Sequence, residues 1–293
     1  MRKIEINYSI DMVRLKVKVD NSSVNYFVKT YLDIEPSVSY YNDFKYNKYR
    51  HNWLIEQEPP TFENEGSEGE KLTKFGQAFS YWLGYHQNSE KVGDNHYLVI
   101  EYNPNKCIIY GLLQKILETF FDNYEVIISS VDVAMDFGVN INRLIIDKYR
   151  KQVYKLFDNG GDDKTHYLGK GDGRVKIYNK ARELGIEGDL TRYEISKKIG
   201  LRLKDVITSD YEFECEIPPL STINDDLTIE DSTLYCQYWA VVNGFPLDQL
   251  SRRYKDNVRK ILKTTSQITF EQEKISSTIR QYFQGYKELL IKY

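Results

Sequence analysis

A short basic segment surrounds one tyrosine in a way that suits attack on a phosphodiester. Residues 174–180 read RVKIYNK, and strand alternation predicts that every second residue shares one face: Arg174, Lys176, Tyr178 and Lys180. A phenol with its ordinary pKa of about 10 is a weak nucleophile, so nearby cations would be needed to stabilise the developing charge. The pattern predicts Tyr178 as a covalent nucleophile. The alternative is an ordinary tyrosine on a half-exposed strand, since the chain contains 25 tyrosines.

Four carboxylates on predicted strands form a second candidate group: Glu101, Asp132, Asp136 and Glu194. Carboxylates from neighbouring strands can build an oxygen-rich site that suits Mg²⁺ or Mn²⁺. Such an ion would polarise a scissile phosphate and orient it for in-line attack. The alternative is that these acids form structural salt bridges with Arg174, Arg192 and Lys176. The residues alone leave both interpretations open.

Motifs for several other chemistries are missing from the sequence. The four histidines form no HxH or HExxH pair, and there is no GxxxxGK[ST] phosphate loop or GxSxG elbow. Cys107, Cys215 and Cys236 form no CxxC pair, which favours reduced thiols in a cytoplasmic protein. No apolar run approaches the roughly 20 residues that cross a bilayer, so we expect no membrane partner.

Charge is unevenly distributed along the chain. The formal net charge is -3 and the pI is about 5.9, so bulk charge does not favour a nucleic-acid partner. Residues 164–204 nevertheless contain eleven bases and five acids, whereas residues 210–231 contain eight acids and no base. A DNA-binding protein needs only such a local basic patch. The alternative is an ordinary solvated surface.

Apolar periodicity predicts an α+β fold. Strands are expected at 9–19, 78–85, 96–103, 124–137, 166–168, 174–179 and 192–197, and helices at 22–32, 108–121 and 142–157. The strands at 78–85 and 96–103 should form an antiparallel hairpin. The predicted architecture is a mostly antiparallel sheet covered by helices, with a helical C-terminal region. The expected domains are residues 1–220 and 221–293, and the acidic segment 58–70 is expected to be a loop.

Two helices are predicted in the C-terminal region. The first runs from Pro246 to Lys263, and the second opens at a capping box formed by Thr269 and Gln272. The first carries a basic stripe at helical spacing: Arg252, Lys255, Arg259 and Lys263. A basic stripe backed by apolar residues suits docking on a DNA duplex. The alternative is the solvated face of a bundle helix.

Three blocks resemble the replication initiators of Gram-positive rolling-circle plasmids, the Rep_trans or replication initiation factor family. They are YLVIEYNPNK at 97–106, VDVAMDF at 131–137 and YLGKGDGRVKIYNKARELGIEGDLTRYEISKK at 167–198. They are similar to the family's E-[FY]-N-P-N-K strand end, its D-x-A-x-D-F strand, and its [RK]-x-Y-x-K block followed by R-x-E. The resemblance covers residues 5–205 and implies a Rep/relaxase-like catalytic core.

The resemblance implies roles for individual residues. Tyr178 corresponds to the family's nucleophile, Glu101, Asp132 and Glu194 to its metal ligands, and Asp136 is a further candidate ligand. The family's Y-x-G-x-R stretch is YLGKG here, so Lys170 or Arg174 would supply that positive charge, and Val131 replaces a frequent Arg. The residues expected to contact DNA are Lys170, Arg174, Lys176, Lys180, Arg192, Arg252, Arg259 and Lys263.

The expected function is that of a rolling-circle replication initiator. Such a protein binds a double-strand origin, nicks one strand to form a 5′-phosphotyrosine link, and later rejoins the strand. The resemblance implies plasmid origin DNA in duplex and single-stranded form, a second copy of the chain and a host helicase as partners. One alternative is a relaxase of a conjugative or mobilisable element with the same chemistry. Another is a DNA-binding module that keeps the fold without cutting.

Overall fold

The computed structural model describes residues 4–32, 38–40, 49, 51–57, 79–87, 96–107, 109, 111–146, 153–214, 217, 220–222, 232–242, 245–263 and 266–291. The predicted acidic loop at 58–70 and Cys215 lie outside these residues. Cys107 and Cys236 lie within them as free thiols.

Antiparallel strands dominate the described part of the chain. They are β1 (Ile6–Val19), β2 (Val38–Tyr40), β3 (His51–Gln57), β4 (Phe79–Gln87), β5 (His96–Tyr102), β6 (Val126–Phe137), β7 (Leu144–Ile146), β8 (Tyr154–Asp158), β9 (Lys164–Leu168), β10 (Arg174–Asn179), β11 (Thr191–Arg202), β12 (Leu220–Thr222) and β13 (Ser266–Ile268). Ten of these strands form one sheet in the order β2-β3-β4-β5-β1-β6-β11-β10-β9-β8, and three form a small sheet in the order β13-β12-β7. The predicted antiparallel hairpin is confirmed, since β4 and β5 pair with Gly84 opposite Val99.

Helices complete the α+β architecture. They are α1 (Asn21–Phe27), which continues as a π-helical turn (Val28–Leu32), α2 (Gly111–Asn123), α3 (Lys180–Leu184), α4 (Leu203–Thr208), α5 (Ser232–Val242), α6 (Arg252–Lys263) and α7 (Gln272–Ile291). The predicted fold class, including the helices in the C-terminal region, is confirmed. Within the described residues, none of these helices combines the length and apolarity that crossing a membrane requires.

The chain divides into two compact units. The first comprises Met1–Tyr8, Ala134–Ile195 and Glu214–Gln272, and the second comprises Ser9–Val133, Ser196–Phe213 and Glu273–Tyr293. Both units are therefore built from separate stretches of the chain. They do not coincide with the predicted domains 1–220 and 221–293.

The second unit has a core of strand and helix side chains. In α2 the residues at helical spacing are buried, namely Leu113, Ile116, Leu117 and Phe120, as are Ile275, Ile279, Phe283 and Tyr286 in α7. The Tyr282 hydroxyl lies 3.1 Å from that of Tyr102 and 2.9 Å from that of Tyr286. Burial raises the pKa of Tyr282 and Tyr286. Tyr286 is thus a core residue, and Tyr282 lies half-buried beside it.

The predicted helix at 142–157 is wrong, and the segment lies in the first unit. A short 3-10 turn (Ile141–Arg143) leads into β7, where Leu144 pairs with Thr222 and Ile146 with Leu220 of β12. Strand β8 follows and pairs with β9. Apolar residues in this segment satisfy helical spacing, but pairing with strands elsewhere in the chain overrides that local pattern.

Two predicted helix starts are also corrected. Pro246 precedes a 3-10 turn (Leu247–Gln249), and α6 begins only at Arg252. The first hydrogen bond of α6 runs from the Lys255 amide to the Ser251 carbonyl at 2.9 Å. The last helix begins at Gln272, so Thr269 is not its N-cap residue. The predicted amphipathic character of α6 is confirmed. Its Val258 and Ile261 pack with Tyr238 of α5 in a buried cluster.

Candidate functional site

The β9–β10 hairpin positions Tyr178. Leu168, Val175 and Ile177 are buried on one side of the hairpin, and Tyr178 pairs across the sheet with Thr165 on the other. The connecting loop reads GKGDG, and its Gly171 has a φ of 66°, a conformation that favours glycine. The predicted alternation along 174–178 is confirmed. Only 7% of Tyr178 is exposed.

Two lysine ammonium groups lie over the Tyr178 ring. The Lys176 Nζ is 4.0 Å from the ring centroid, and the Lys180 Nζ is 5.9 Å from it. Both distances fall within the range of a cation–π contact. The predicted strand 174–179 is confirmed as β10, but the predicted alternation does not extend to Lys180, which begins α3. The predicted proximity of cations to Tyr178 is present even though the element bearing Lys180 differs.

A cavity of about 370 Å³ opens beside Tyr178. Its lining includes three basic, two acidic and three uncharged polar side chains: Lys164, Lys176, Arg182, Asp163, Glu183, Thr165, Tyr178 and Asn179. The sequence interpretation missed Lys164 and Arg182 as site residues. Lys164 precedes Thr165, which pairs with Tyr178 across β9 and β10. The sequence alone does not reveal this strand pairing.

Hydrogen bonds hold the wall of this cavity. The Asn179 side chain accepts from the Arg182 amide at 3.0 Å, which caps α3, and it donates to Asp162 at 2.7 Å. The Arg182 guanidinium lies 3.6 Å from Asp162 and 3.4 Å from Asp163. The Lys180 Nζ lies 3.0 Å from Glu183. The DNGGDD turn at 158–163 is thereby attached to the helix that follows Tyr178.

Two of the predicted metal ligands in the first unit pair with bases. Asp136 accepts a bidentate fork from Arg192, with Nε–Oδ1 at 2.7 Å and Nη2–Oδ2 at 2.6 Å. Glu194 lies 3.7 Å from the Lys176 Nζ, which is an ion pair longer than a hydrogen bond. Arg192 is 5% exposed. Its predicted contact with phosphate is therefore replaced by a buried pairing with Asp136.

The other two predicted ligands lie in the second unit. Glu101 pairs across β1 and β5 with Arg14, and their side chains form an ion pair. Asp132 is half-buried on β6. Among the described residues, no three His, Cys, Asp or Glu side chains are grouped as a metal site. Asp136 and Glu194 pair with Arg192 and Lys176, two of the bases that the salt-bridge alternative named, whereas Glu101 pairs with Arg14.

The remaining predicted DNA contacts lie on exposed parts of the first unit. Lys170 and Arg174 are exposed at the β9–β10 turn. On α6, Arg252 and Arg259 are exposed, and Arg259 lies 3.4 Å from Asp256. The side chain of Lys263 lies outside the described part of the structure. The first unit thus has two exposed basic regions, one at the β9–β10 turn and one on α6.

Comparison with known proteins gives a distant structural similarity. No protein-family model matches the sequence, and no curated protein matches it at a significant level. The chain is similar to a solved structure described as "Structure of Rolling Circle Replication Initiator Protein from Geobacillus stearothermophilus". The identity is 15%, the similarity covers 88% of this chain and 97% of that chain, and the TM-score is 0.38. Similarity at this level establishes no function for this chain.

Proposed function

We propose that this chain is a rolling-circle replication initiator that nicks one DNA strand and becomes covalently joined to it through Tyr178. The observation that carries the proposal is the position of Tyr178 on the wall of a cavity shared with Lys164, Lys176 and Arg182. The three bases outnumber the two acids of the lining, and the resulting net positive charge attracts the anionic phosphodiester. The three sequence blocks that resemble the Rep_trans family support the same assignment.

The proposed reaction is an in-line displacement at phosphorus. The Tyr178 Oη forms a bond to phosphorus as the bond from phosphorus to the 3′ oxygen breaks. The phenol loses its proton to solvent, and the leaving 3′ oxygen takes up a proton. Lys176 and the neighbouring bases stabilise the negative charge on the phosphoryl oxygens as it develops. The products are a 5′-phosphotyrosine and a free 3′-OH, and attack by a 3′-OH reverses the step and rejoins the strand.

The experiment that tests the function is a search for the covalent adduct. The full chain is incubated with a supercoiled library of candidate plasmid origins in Mn²⁺, and protein-linked DNA is recovered and digested. We expect a peptide containing Tyr178 to carry a nucleotide, with the nick in each plasmid mapping to one sequence. Binding to origin DNA without any adduct or nick would instead assign the chain to the class of non-catalytic DNA-binding modules. A nick confined to transfer origins would assign it to the relaxases.

Nicking is also proposed to require Mg²⁺ or Mn²⁺, and Glu101, Asp132 and Glu194 are each proposed as a candidate ligand. Ion binding would have to replace Arg14 at Glu101 and Lys176 at Glu194. We expect excess EDTA to abolish nicking, and Glu101→Gln or Asp132→Asn to reduce its rate at least about tenfold, because a hard cation requires charged oxygen ligands.

A matched control for the metal experiment is Glu212→Gln, which changes an exposed acid without altering the rate. Relaxation of supercoiled DNA in Mn²⁺, Mg²⁺ and EDTA is the measurement. Undiminished nicking in EDTA would reject the metal and leave Glu101 and Glu194 as salt-bridge partners.

The basic helix α6 is proposed to bind duplex DNA. Changing Arg252, Arg259 and Lys263 together to Gln is expected to weaken origin binding and reduce the slope of log affinity against log salt by about 2–3, because up to three fewer counterions are released. Cleavage of a short single-stranded substrate should survive, since it does not need the duplex contact. Gel-shift titrations at several salt concentrations measure both quantities.

The control for the α6 experiment makes the same change in net charge elsewhere. Lys18, Lys29 and Lys204 are exposed and belong to the second unit, so their joint replacement by Gln should leave the salt slope near the wild-type value. Wild-type affinity and slope in the α6 variant would make this helix a solvated scaffold, as the alternative interpretation holds.

A further inference from the structure

The cross-strand register aligns six side chains on one face of the sheet formed by β8, β9 and β10. One row contains Lys155, Tyr167 and Lys176, and the next contains Phe157, Thr165 and Tyr178. Directly paired residues point to the same side of an antiparallel sheet, as do residues two apart on one strand. This nucleophile face, as we name these six residues, therefore continues from Tyr178 to the edge strand β8.

The nucleophile face exposes an aromatic pair. Phe157 is 57% exposed, and its ring contacts that of Tyr167 edge-on, with centroids 5.6 Å apart and an interplanar angle of 80°. In an edge-on contact one ring covers a face of the other with its edge, and the remaining ring faces stay available to a flat ligand. More than half of the Phe157 surface is therefore in contact with solvent and open to a partner.

The charges on this face suit an anionic chain. Lys155 is exposed and Lys176 is half-buried, whereas none of the six positions is acidic. Arg174 continues the same alternation along β10 and is exposed. The one acid in β8 and β9 is Asp158, which lies on the opposite face of the sheet and forms an ion pair with Lys164. Basic side chains and aromatic rings thus share one face of the three strands.

The aromatic pair lies within reach of the Tyr178 cavity. Thr165, which pairs with Phe157, lines that cavity together with Lys176 and Tyr178. Adjacent strands are ~4.8 Å apart, so Phe157 and Tyr178 lie on strands roughly 10 Å apart. At the stacked rise of ~3.4 Å per nucleotide, this distance corresponds to about three nucleotides.

We propose that Phe157 and Tyr167 form a stacking platform that holds the bases of single-stranded DNA while the strand's phosphate enters the Tyr178 cavity. The inference rests on the proposed function for its substrate class. Proteins bind single strands without reading their sequence by combining aromatic side chains with basic ones, since every nucleobase has a face that can stack. Lys155 and Lys176 would contact the phosphates between the stacked bases.

The test compares a DNA strand that carries nucleobases with one that carries none. The probes are a fluorescein-labelled oligo(dT) and an abasic oligonucleotide of the same length, titrated against the full chain by fluorescence anisotropy. The variants are Phe157→Ala, Tyr167→Ala and Phe157→Trp. The matched control is Leu156→Ala, since Leu156 is 42% exposed on the same strand and points to the opposite face.

We expect Phe157→Ala and Tyr167→Ala each to weaken oligo(dT) binding at least about fivefold, the loss of one base–aromatic stack, without changing the salt slope. Abasic DNA should bind the variants as it binds the wild type. Phe157→Trp should restore oligo(dT) binding, which loss of the fold would not permit, and Leu156→Ala should have no effect.

Equal binding of oligo(dT) by wild type and both alanine variants would overturn the proposal. The proposal would also be overturned by alanine variants that bind oligo(dT) normally but differ from the wild type in oligomeric state, measured by sedimentation. That result would assign the β8 edge to contact with a second copy of the chain. The binding assay involves no cleavage. A failed platform with intact adduct formation therefore leaves the proposed function standing, and a working platform without any adduct rejects the nicking activity alone.

Discussion

Tyr178→Phe is expected to abolish nicking, with a loss of at least about a thousandfold, because the substitution removes the oxygen that would bond to phosphorus. The ring that remains still packs on the hairpin, and Lys176 still lies over its face at 4.0 Å. Origin binding should therefore stay within about twofold of the wild type, well below the effect of a lost contact. Relaxation of supercoiled origin plasmid measures the first quantity, and a gel shift measures the second.

Two neighbouring tyrosines are the controls for this substitution. Tyr167→Phe changes a hydroxyl on the same face of the sheet, whereas Tyr193→Phe changes one in the core, where the ring lies 4.5 Å from that of Phe270. Neither should prevent formation of the adduct. Persistence of the adduct in Tyr178→Phe would disprove the assignment, and Tyr167 would then be the first residue to examine.

Strand alternation was sufficient to predict the immediate surroundings of Tyr178. Val175 and Ile177 are apolar at every second position, and a strand with one buried face fixes which residues point away from it. That rule places Lys176 and Tyr178 on the face opposite Val175 and Ile177 without any knowledge of neighbouring strands. The same reasoning correctly located β4, β5 and the long β6.

The composition of the cavity could not be predicted in this way. Arg182 reaches it because the chain turns into α3 directly after Asn179, and Lys164 reaches it through the pairing of β9 with β10. Both placements depend on where one element lies beside another. The wrong helix at 142–157 has the same cause, since β7 pairs with a strand far along the chain.

The roles of the carboxylates were the least predictable part of the site. Alternation places Asp136 and Glu194 on strand faces, but whether an acid meets a base or another acid depends on the register of the neighbouring strand. In the structure Asp136 meets Arg192 and Glu194 meets Lys176. The sequence left the salt-bridge and metal interpretations even, and the Asp136 pairing can be tested without any knowledge of the DNA substrate.

Asp136→Asn is expected to lower the free energy of unfolding by about 3–5 kcal/mol, the cost of breaking a buried ion pair by removing one partner. The Arg192 guanidinium is almost fully buried and donates both bonds of its fork to this carboxylate. An amide keeps the shape but loses the charge, and its own N–H groups would face the guanidinium donors. Urea denaturation followed by circular dichroism measures the change.

The matched control for Asp136 is an exposed pair with the same fork geometry. Arg202 donates to Asp205 at 2.6 and 3.0 Å, and both side chains are open to solvent, so Asp205→Asn should leave the unfolding midpoint near that of the wild type. A second variant, Asp136→Leu with Arg192→Met, removes both charges and should recover much of the lost stability, because no buried charge is left without a partner. If Asp136→Asn retains wild-type stability but loses metal-dependent nicking, Asp136 is a metal ligand and the buried pair is not what holds β6 and β11 together.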